Sequence, residues 1–354
     1  MQCMLIWLLR ELLRNKRNMI ISESVEGGFT LLGDFFNIPE KKVVALQHRA
    51  RRNSQSVFLV IKKRGTYMKK IDLHMHVMTT LPIPKIGKMN LSSPKKMIAH
   101  MEELGIEKAV LMSSGETKIP FGNNKTCKKI CDKYPEHFAW MCMLDEKDEA
   151  TIYDRLAEYK RQGAIGVGEI SINKRLDSSF VQAVCAAAEK LELPITIHMS
   201  PEEGYSYGVV DEPRLPLLEG VLQKYPNLKV LGHSQTFWIE MSADAPDEKE
   251  KRNSWGEGPV VPGGRVPELF AKYDNLYGDL SANSAGQAIM RDPEFGLKFL
   301  ETYADRLFFA TDMVNSDMVF PLGAWLDEQV AKGTLSKDTY EKICRTNAQR
   351  VFGL

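Results

Sequence analysis

Long apolar runs are missing from this sequence. The most hydrophobic opening stretch, Met4 to Leu13, is broken by Arg10 and Glu11. It falls far short of the roughly 20 residues that a membrane-spanning helix needs, and it lacks a small-residue cleavage pattern. Neither a transmembrane helix nor a secretory signal is expected. Cysteine is sparse and scattered, at Cys3, Cys127, Cys131, Cys142, Cys185 and Cys344. Cys127 and Cys131 have no matching second pair, which argues against a thiolate zinc site, and reduced core thiols in a cytoplasmic protein are expected. Net charge is also nearly absent, at +1 from 47 Lys+Arg and 46 Asp+Glu. Histidine occurs only seven times, so where it falls carries information.

What is present suits an ordinary globular protein, with 44% hydrophobic and 26% charged residues. The small net charge hides an asymmetry. Residues 1–67 hold twelve Lys/Arg against five Asp/Glu, net +7, whereas residues 68–354 are net −6. The basic cluster of Arg49, Arg51, Arg52, Lys62, Lys63 and Arg64 has almost no interleaved aromatics and no recognisable nucleic-acid motif. Residues 1–67 are therefore expected to be an N-terminal extension outside the main domain, which would run from 68 to 354. The sequence also allows a translation start at Met68, which would make residues 1–67 an over-extended reading of the gene. The intact mass of the natural product decides this.

From Met68 onward, short β-branched or aromatic runs alternate with helical patterns, the signature of β-α units around a parallel sheet. Eight runs stand out: 70–77, 108–113, 138–144, 164–170, 195–199, 229–233, 276–280 and 307–311. Ser93-Pro94, Ser178 and Ser336 mark helix starts, and Gly163 marks a helix end. The spacing predicts a single (β/α)₈ barrel, a fold of typically about 250 residues.

In such barrels the chemistry sits where the strands end and the β-to-α loops converge. His74 and His76 end the first run. Alternate residues of a strand share a face, so the two imidazoles can serve one metal ion. Glu169 ends the fourth run, His198 the fifth and His233 the sixth, and Asp312 follows the eighth. Four of the seven histidines thus share one rim. His100 reads as a helix residue and His137 as a turn residue. Asp72 is expected to stabilise its strand or orient neighbours, and Asp279 to bond a loop or support the rim.

The stretches Asp-Leu-His-Met-His (72–76), Gly-Val-Gly-Glu (166–169), Pro-Ile-Thr-Ile-His (194–198), Val-Leu-Gly-His (230–233) and Phe-Ala-Thr-Asp (309–312) together resemble the amidohydrolase superfamily. The ending Asn347-Ala-Gln-Arg-Val-Phe-Gly353 resembles the closing helix of the amidohydrolase-related branch that includes decarboxylases. The resemblance runs from about Ile71 to Leu354. It implies a TIM barrel with a divalent metal, zinc by preference, at the C-terminal mouth. His74, His76, His198 and Asp312 would be ligands. Asp312 would also act as the catalytic base, and His233 would contact water or substrate. Gly168-Glu169-Ile170 is similar to the Gly-Glu-Ile run that supplies a metal carboxylate in TatD-type deoxyribonucleases, which adds Glu169 to the metal set. Other branches use a carboxylated lysine, and no lysine stands at that strand end. One ion, with Glu169 in its outer sphere, is favoured over two bridged ions.

Specificity is expected in the long stretch from Ser234 to Pro262, with Trp238 and Arg265 as substrate-binding residues. Arg265, at a helix start, would hold a carboxylate or phosphate, or else pair with Glu268. Asp244 to Arg252 reads as a solvated excursion. The implied activity is hydrolysis of an amide, lactone or related bond in a small molecule. The alternatives are non-oxidative decarboxylation of a carboxylated aromatic or enoate, and a catalytically inactive metal-binding barrel. A small-molecule substrate is the expected partner, with no nucleic acid and no membrane, and self-association into a homo-oligomer is compatible with the sequence.

Overall fold

In the computed structural model, residues 68–77, 85, 90–117 and 122–354 are described in full, and Ile86, Met89 and strands Met19–Glu23, Phe29–Gly33 and Phe58–Val60 by their backbone. The chain divides into two units, Met1–Tyr67 and Met68–Leu354. In the first, Met19–Glu23 pairs antiparallel with Phe29–Gly33, which pairs parallel with Phe58–Val60. Cys3 and the basic cluster of residues 49–64 lie outside the described residues. Among the described residues, no helix is long and apolar enough to cross a membrane.

The second unit is built on eight parallel strands: β1 Lys70–Met75, β2 Ile106–Met112, β3 Phe138–Met141, β4 Val167–Ile170, β5 Ile195–Ser200, β6 Val230–His233, β7 Leu276–Leu280 and β8 Leu307–Phe309. Each expected run contains a strand, trimmed or shifted by up to three residues at its ends. Pairing runs β1–β2–β3 and β4–β5–β6–β7–β8. A bridge between Cys142 and Val167 joins β3 to β4, and one between Met75 and Met313 joins β1 to the segment after β8, which closes the barrel.

Helices return the chain between strands, and the sequence punctuation is visible at their ends. The Ser93 hydroxyl caps Pro94–Leu104 by accepting from Lys96 N, and Gly105 ends that helix at φ 72°. Ser336 caps Lys337–Glu341 in the same way. Ser178 precedes Ser179–Lys190 but makes no side-chain cap bond. Cys127 and Cys131 sit one turn apart on Asn124–Lys133, and all five described cysteines are free.

The apolar residues separate into two layers. Ile71, Leu73, Val110, Met112, Met141, Leu231, Tyr277, Phe308 and Ala310 form one cluster drawn from six strands, the filling of the barrel. Ala348 and Phe352 from the closing helix Asn347–Phe352 complete it. The larger cluster, between strands and helices, takes Met75, Ala109, Leu111, Ile195 and Ile197. On β1 the two layers require an irregularity. Ile71 and Leu73 point inward and Met75 outward, and the β1–β2 register shifts between Asp72 and Met75. Bulges of this kind re-aim side chains beside active sites. Here the shift brings His74 to the inner side, while Asp72 turns to β8's continuation and accepts from Thr311 N at 3.0 Å and Thr311 Oγ1 at 2.5 Å.

Candidate metal centre

The ends of β1, β4, β5, β6 and β8 bring His74, His76, Glu169, His198, His233 and Asp312 together at the mouth. His74 Nε2 lies 3.2 Å from His76 Nε2, and Asp312 Oδ1 lies 3.5 Å from the first and 3.2 Å from the second. Glu169 projects between them, its Oε2 3.8 Å from His74 Nε2 and 3.7 Å from His76 Nε2. Its other oxygen bonds His198 Nδ1 and stands 3.5 Å from His233 Nε2. Among the described residues, two triads emerge with ligand atoms mutually within 4.8 Å: His74, His76 and Asp312, and His74, Glu169 and His233. His198 enters neither triad; its Nδ1 bonds Glu169.

The backbone holds these groups in place at some conformational cost. Asp312 has φ 62° and Ser234, directly after His233, has φ 94°, both in the left-handed region that side chains rarely adopt. Asp312 is secured by its N–H donating to His74 O at 2.7 Å, and His76 N donates to Met313 O at 2.8 Å. Gly232 makes room beneath the rim, since a Cβ there would meet the Phe237 ring at 2.3 Å.

A ring of outer groups orients the imidazoles. His74 Nδ1 is 2.6 Å from Asp279 Oδ2, and both side chains are fully buried. The carboxylate keeps the proton on Nδ1, so Nε2 is the nitrogen presented to the cluster. Asp279 is itself fixed by the Ser281 N–H at 3.1 Å. The Ser281 hydroxyl lies 2.8 Å from His233 Nδ1, which leaves His233 Nε2 facing Glu169 and Asp312. Asp279 thus has a larger part than a loop bond, and Ser281 gave no motif by which sequence could single it out.

Electrostatics show what this pocket favours. Burial works against a charged His74, yet the carboxylates of Asp279, Asp312 and Glu169 outweigh it and raise its pKa to about 10. Burial also disfavours the Glu169 anion, but His198 first and then His74 hold its carboxyl well below the usual range. Desolvation opposes ionisation of Asp312 too, and His74 and His76 overcome it. His233 is pushed down to about 4, chiefly by burial and then by the positive His74, so it is neutral at pH 7. Buried carboxylates that hold a proton this firmly on a histidine create a demand for positive charge.

A divalent ion fits that demand. For zinc bonds of ~2.0–2.1 Å in a tetrahedral site, neighbouring ligand atoms stand roughly 3.3 Å apart. The His74–His76–Asp312 separations of 3.2 to 3.5 Å match that edge. Two nitrogens and a carboxylate oxygen also suit zinc, manganese or iron.

Neither expected substrate-binding residue faces this centre. The Arg265 guanidinium is spent on Glu219 and Glu268, each at 2.6 Å, and on Arg214 O at 2.8 Å. The ion pair with Glu268 is the arrangement observed. Trp238 is buried, its indole N–H donating to Asp279 O at 3.2 Å and its ring packed against Phe237 and Phe299. Gln235–Trp238 forms a short helix whose aromatics wedge beneath the sheet rather than over the mouth. The excursion from Asp244 to Arg252 is also not simply solvated. Arg252 is buried, and its Nη1 donates to Pro201 O at 3.3 Å and Asp211 O at 3.0 Å. An aromatic that the sequence did not single out lies at the mouth instead. Tyr207 sits with its ring centroid 4.2 Å from that of His198.

Among solved structures, the chain is similar to a probable 2-pyrone-4,6-dicarboxylic acid hydrolase from Acinetobacter baumannii with citric acid bound. The TM-score is 0.53 at 16% identity, over 81% of this chain and 100% of that one. It is similar also to 2,6-dihydroxybenzoate decarboxylase from Rhizobium, with TM-score 0.55 and 19% identity over 81% of this chain and 99% of that one. A third is a dihydroxybenzoic acid decarboxylase from Polaromonas sp. JS666 with bound manganese and the inhibitor 2-nitroresorcinol, with TM-score 0.50 and 17% identity over 81% and 98%. At these identities the likeness shows the (β/α)₈ fold. No curated protein matches the chain in sequence. The amidohydrolase family model matches residues 71–354, from the first strand to the last residue of the closing segment. With that match spanning the whole barrel, the chain belongs to the amidohydrolase family of enzymes.

Proposed function

We propose that this protein is a metal-dependent hydrolase acting on an amide, lactone or related bond of a small molecule. The observation that carries the reading is the triad of His74 Nε2, His76 Nε2 and Asp312 Oδ1, spaced as ligands of one ion in a pocket that demands positive charge. A single ion is favoured because both triads draw on His74, which has only one nitrogen to offer while Asp279 holds the other. Glu169 then acts as an outer carboxylate that tethers His198 and balances the pocket's charge. We assign zinc as the resident metal on the donor set, and manganese, which the Polaromonas relative binds, is the nearest competitor.

When bound, the ion would supply Lewis acidity, polarising a carbonyl oxygen and lowering the pKa of water toward neutrality. The residues do the rest. Asp312 turns Oδ1 to the two histidines and Oδ2 toward His233 Nε2, 4.0 Å away. Its side chain is 27% exposed, so it is open to water at the mouth. Asp312 takes the proton of the attacking water and returns it to the leaving group. His233, neutral and anchored by Ser281, orients the water or the substrate oxygen.

Decarboxylation of a carboxylated aromatic or enoate is the second reading. It is supported by the closing helix and by the fold likeness to the Rhizobium and Polaromonas decarboxylases. The test is metal analysis of protein purified without chelator, followed by a panel of lactones, amides, and aromatic and pyrone carboxylates. Release of an acid with an alcohol or amine supports hydrolysis, and trapped carbon dioxide supports the second reading. Bound metal with neither product across the panel would leave an inactive metal-binding barrel.

A further inference from the structure

Single exposed aromatics are common on proteins and call for no explanation; Tyr153 and Trp255 are examples. Tyr207 is different because it is 61% exposed yet held against a rim histidine, its ring tilted 37° to His198. The backbone was shaped for that contact. Gly208 adopts φ 114°, and a Cβ there would lie 2.8 Å from both His198 Cδ2 and His198 O. Only glycine lets the loop lie this flat on the histidine.

The loop is also tied on three sides. After β4, Ser171 O accepts from Gly208 N at 2.9 Å and Asn173 Nδ2 donates to Gly208 O at 3.1 Å. At the end of β5, the Ser200 and Ser206 hydroxyls meet at 2.9 Å. From the excursion after β6, Lys249 Nζ bonds Glu202 at 3.0 Å and lies 5.6 Å above the Tyr205 ring, while Arg252 holds Pro201 O. An aromatic on so constrained a loop cannot relieve its exposure by folding inward. The ring therefore stays exposed at the mouth.

Resting on the metal-centre reading above, we propose that Tyr207 is the substrate-positioning wall of the mouth on the His198 side, and that it favours flat, conjugated substrates over saturated ones by ring contact. Offset and edge-on aromatic contacts add affinity beyond area burial. The ring supplies this, and the hydroxyl is not required.

The test compares benzoate with cyclohexanecarboxylate, two acids of equal charge and similar size of which only the first is flat. Their binding to the metal-loaded full chain is measured by titration calorimetry. The wild type should bind benzoate about three- to tenfold more tightly. Tyr207→Phe should keep that ratio, and Tyr207→Leu, which fills the space without a π face, should bring it to about one. An unchanged ratio in Tyr207→Leu, no preference in the wild type, or no benzoate binding overturns the proposal. Metal content is measured separately. A wild type that retains no metal refutes the metal-centre reading, whereas a metal-loaded wild type without preference refutes only the role of Tyr207.

Discussion

The two ends of the barrel are made from the same eight strands and have opposite chemistry. At the bottom, Ile71, Leu73, Tyr277 and Phe308 meet Ala348 and Phe352 of the closing helix in a layer of apolar and aromatic side chains. At the mouth, a few residues farther along each strand, four histidines and three carboxylates crowd within bonding reach. Burial stabilises the first arrangement and penalises the second, which holds only because each charge faces an opposite one or an orienting donor. Conservative changes at the bottom should therefore alter stability and spare chemistry, and at the mouth the reverse.

The largest expected effect tests the mouth. Asp312→Asn keeps the shape but removes the base and a ligand, and should lower kcat by about 10²–10⁴. Thermal denaturation should show little loss of stability, and a large fall in Tm would break the division. At the bottom, Phe352→Ala removes a ring packed on Phe308 at 5.5 Å. It should cost about 3–5 kcal/mol in denaturant titration, with metal content per folded molecule unchanged.

Smaller effects sharpen the boundary. Asp279→Asn leaves His74 without its anionic partner and should weaken metal affinity by about 10–100-fold in competition with a chelator. Proton balance gives a further check. With its pKa raised to about 10, His74 is protonated at pH 7 before loading, so metal uptake must expel that proton. Affinity should therefore climb as pH rises, by about tenfold per unit. Calorimetry in buffers of different ionisation enthalpy should detect about one proton released, and zero release would remove the competition between proton and metal. The smallest effect is expected at Arg265→Ala. Its guanidinium serves Glu219 and Glu268, so stability should change by no more than about 1 kcal/mol, and affinity for anionic substrates should not change. Selective loss of anion binding would extend the mouth to that helix.

Much of this was legible in the chain. The eight strands follow from apolar runs at β-α spacing, and the rim residues from their places at the ends of those runs. Strand ends were harder to read, because they depend on pairing partners rather than on local propensity. The same holds for the substrate residues. Trp238 and Arg265 have the types expected of binding groups, but the one fits the space under β7 and the other meets Glu219, a residue 46 positions earlier. Arg252, in a segment that reads as solvated, is buried because carbonyls of two distant loops converge on it.

The amino-acid order by itself determined the barrel and the rim, since both follow from periodicity along one strand at a time. Only the tertiary structure decided how the rim is wired. The bulge between Asp72 and Met75 that turns His74 inward, the Asp279 carboxylate behind it, the engagement of His198 by Glu169 and the placement of Tyr207 over His198 all join residues from different strands. Such contacts are set by closure of the sheet, which no local pattern encodes.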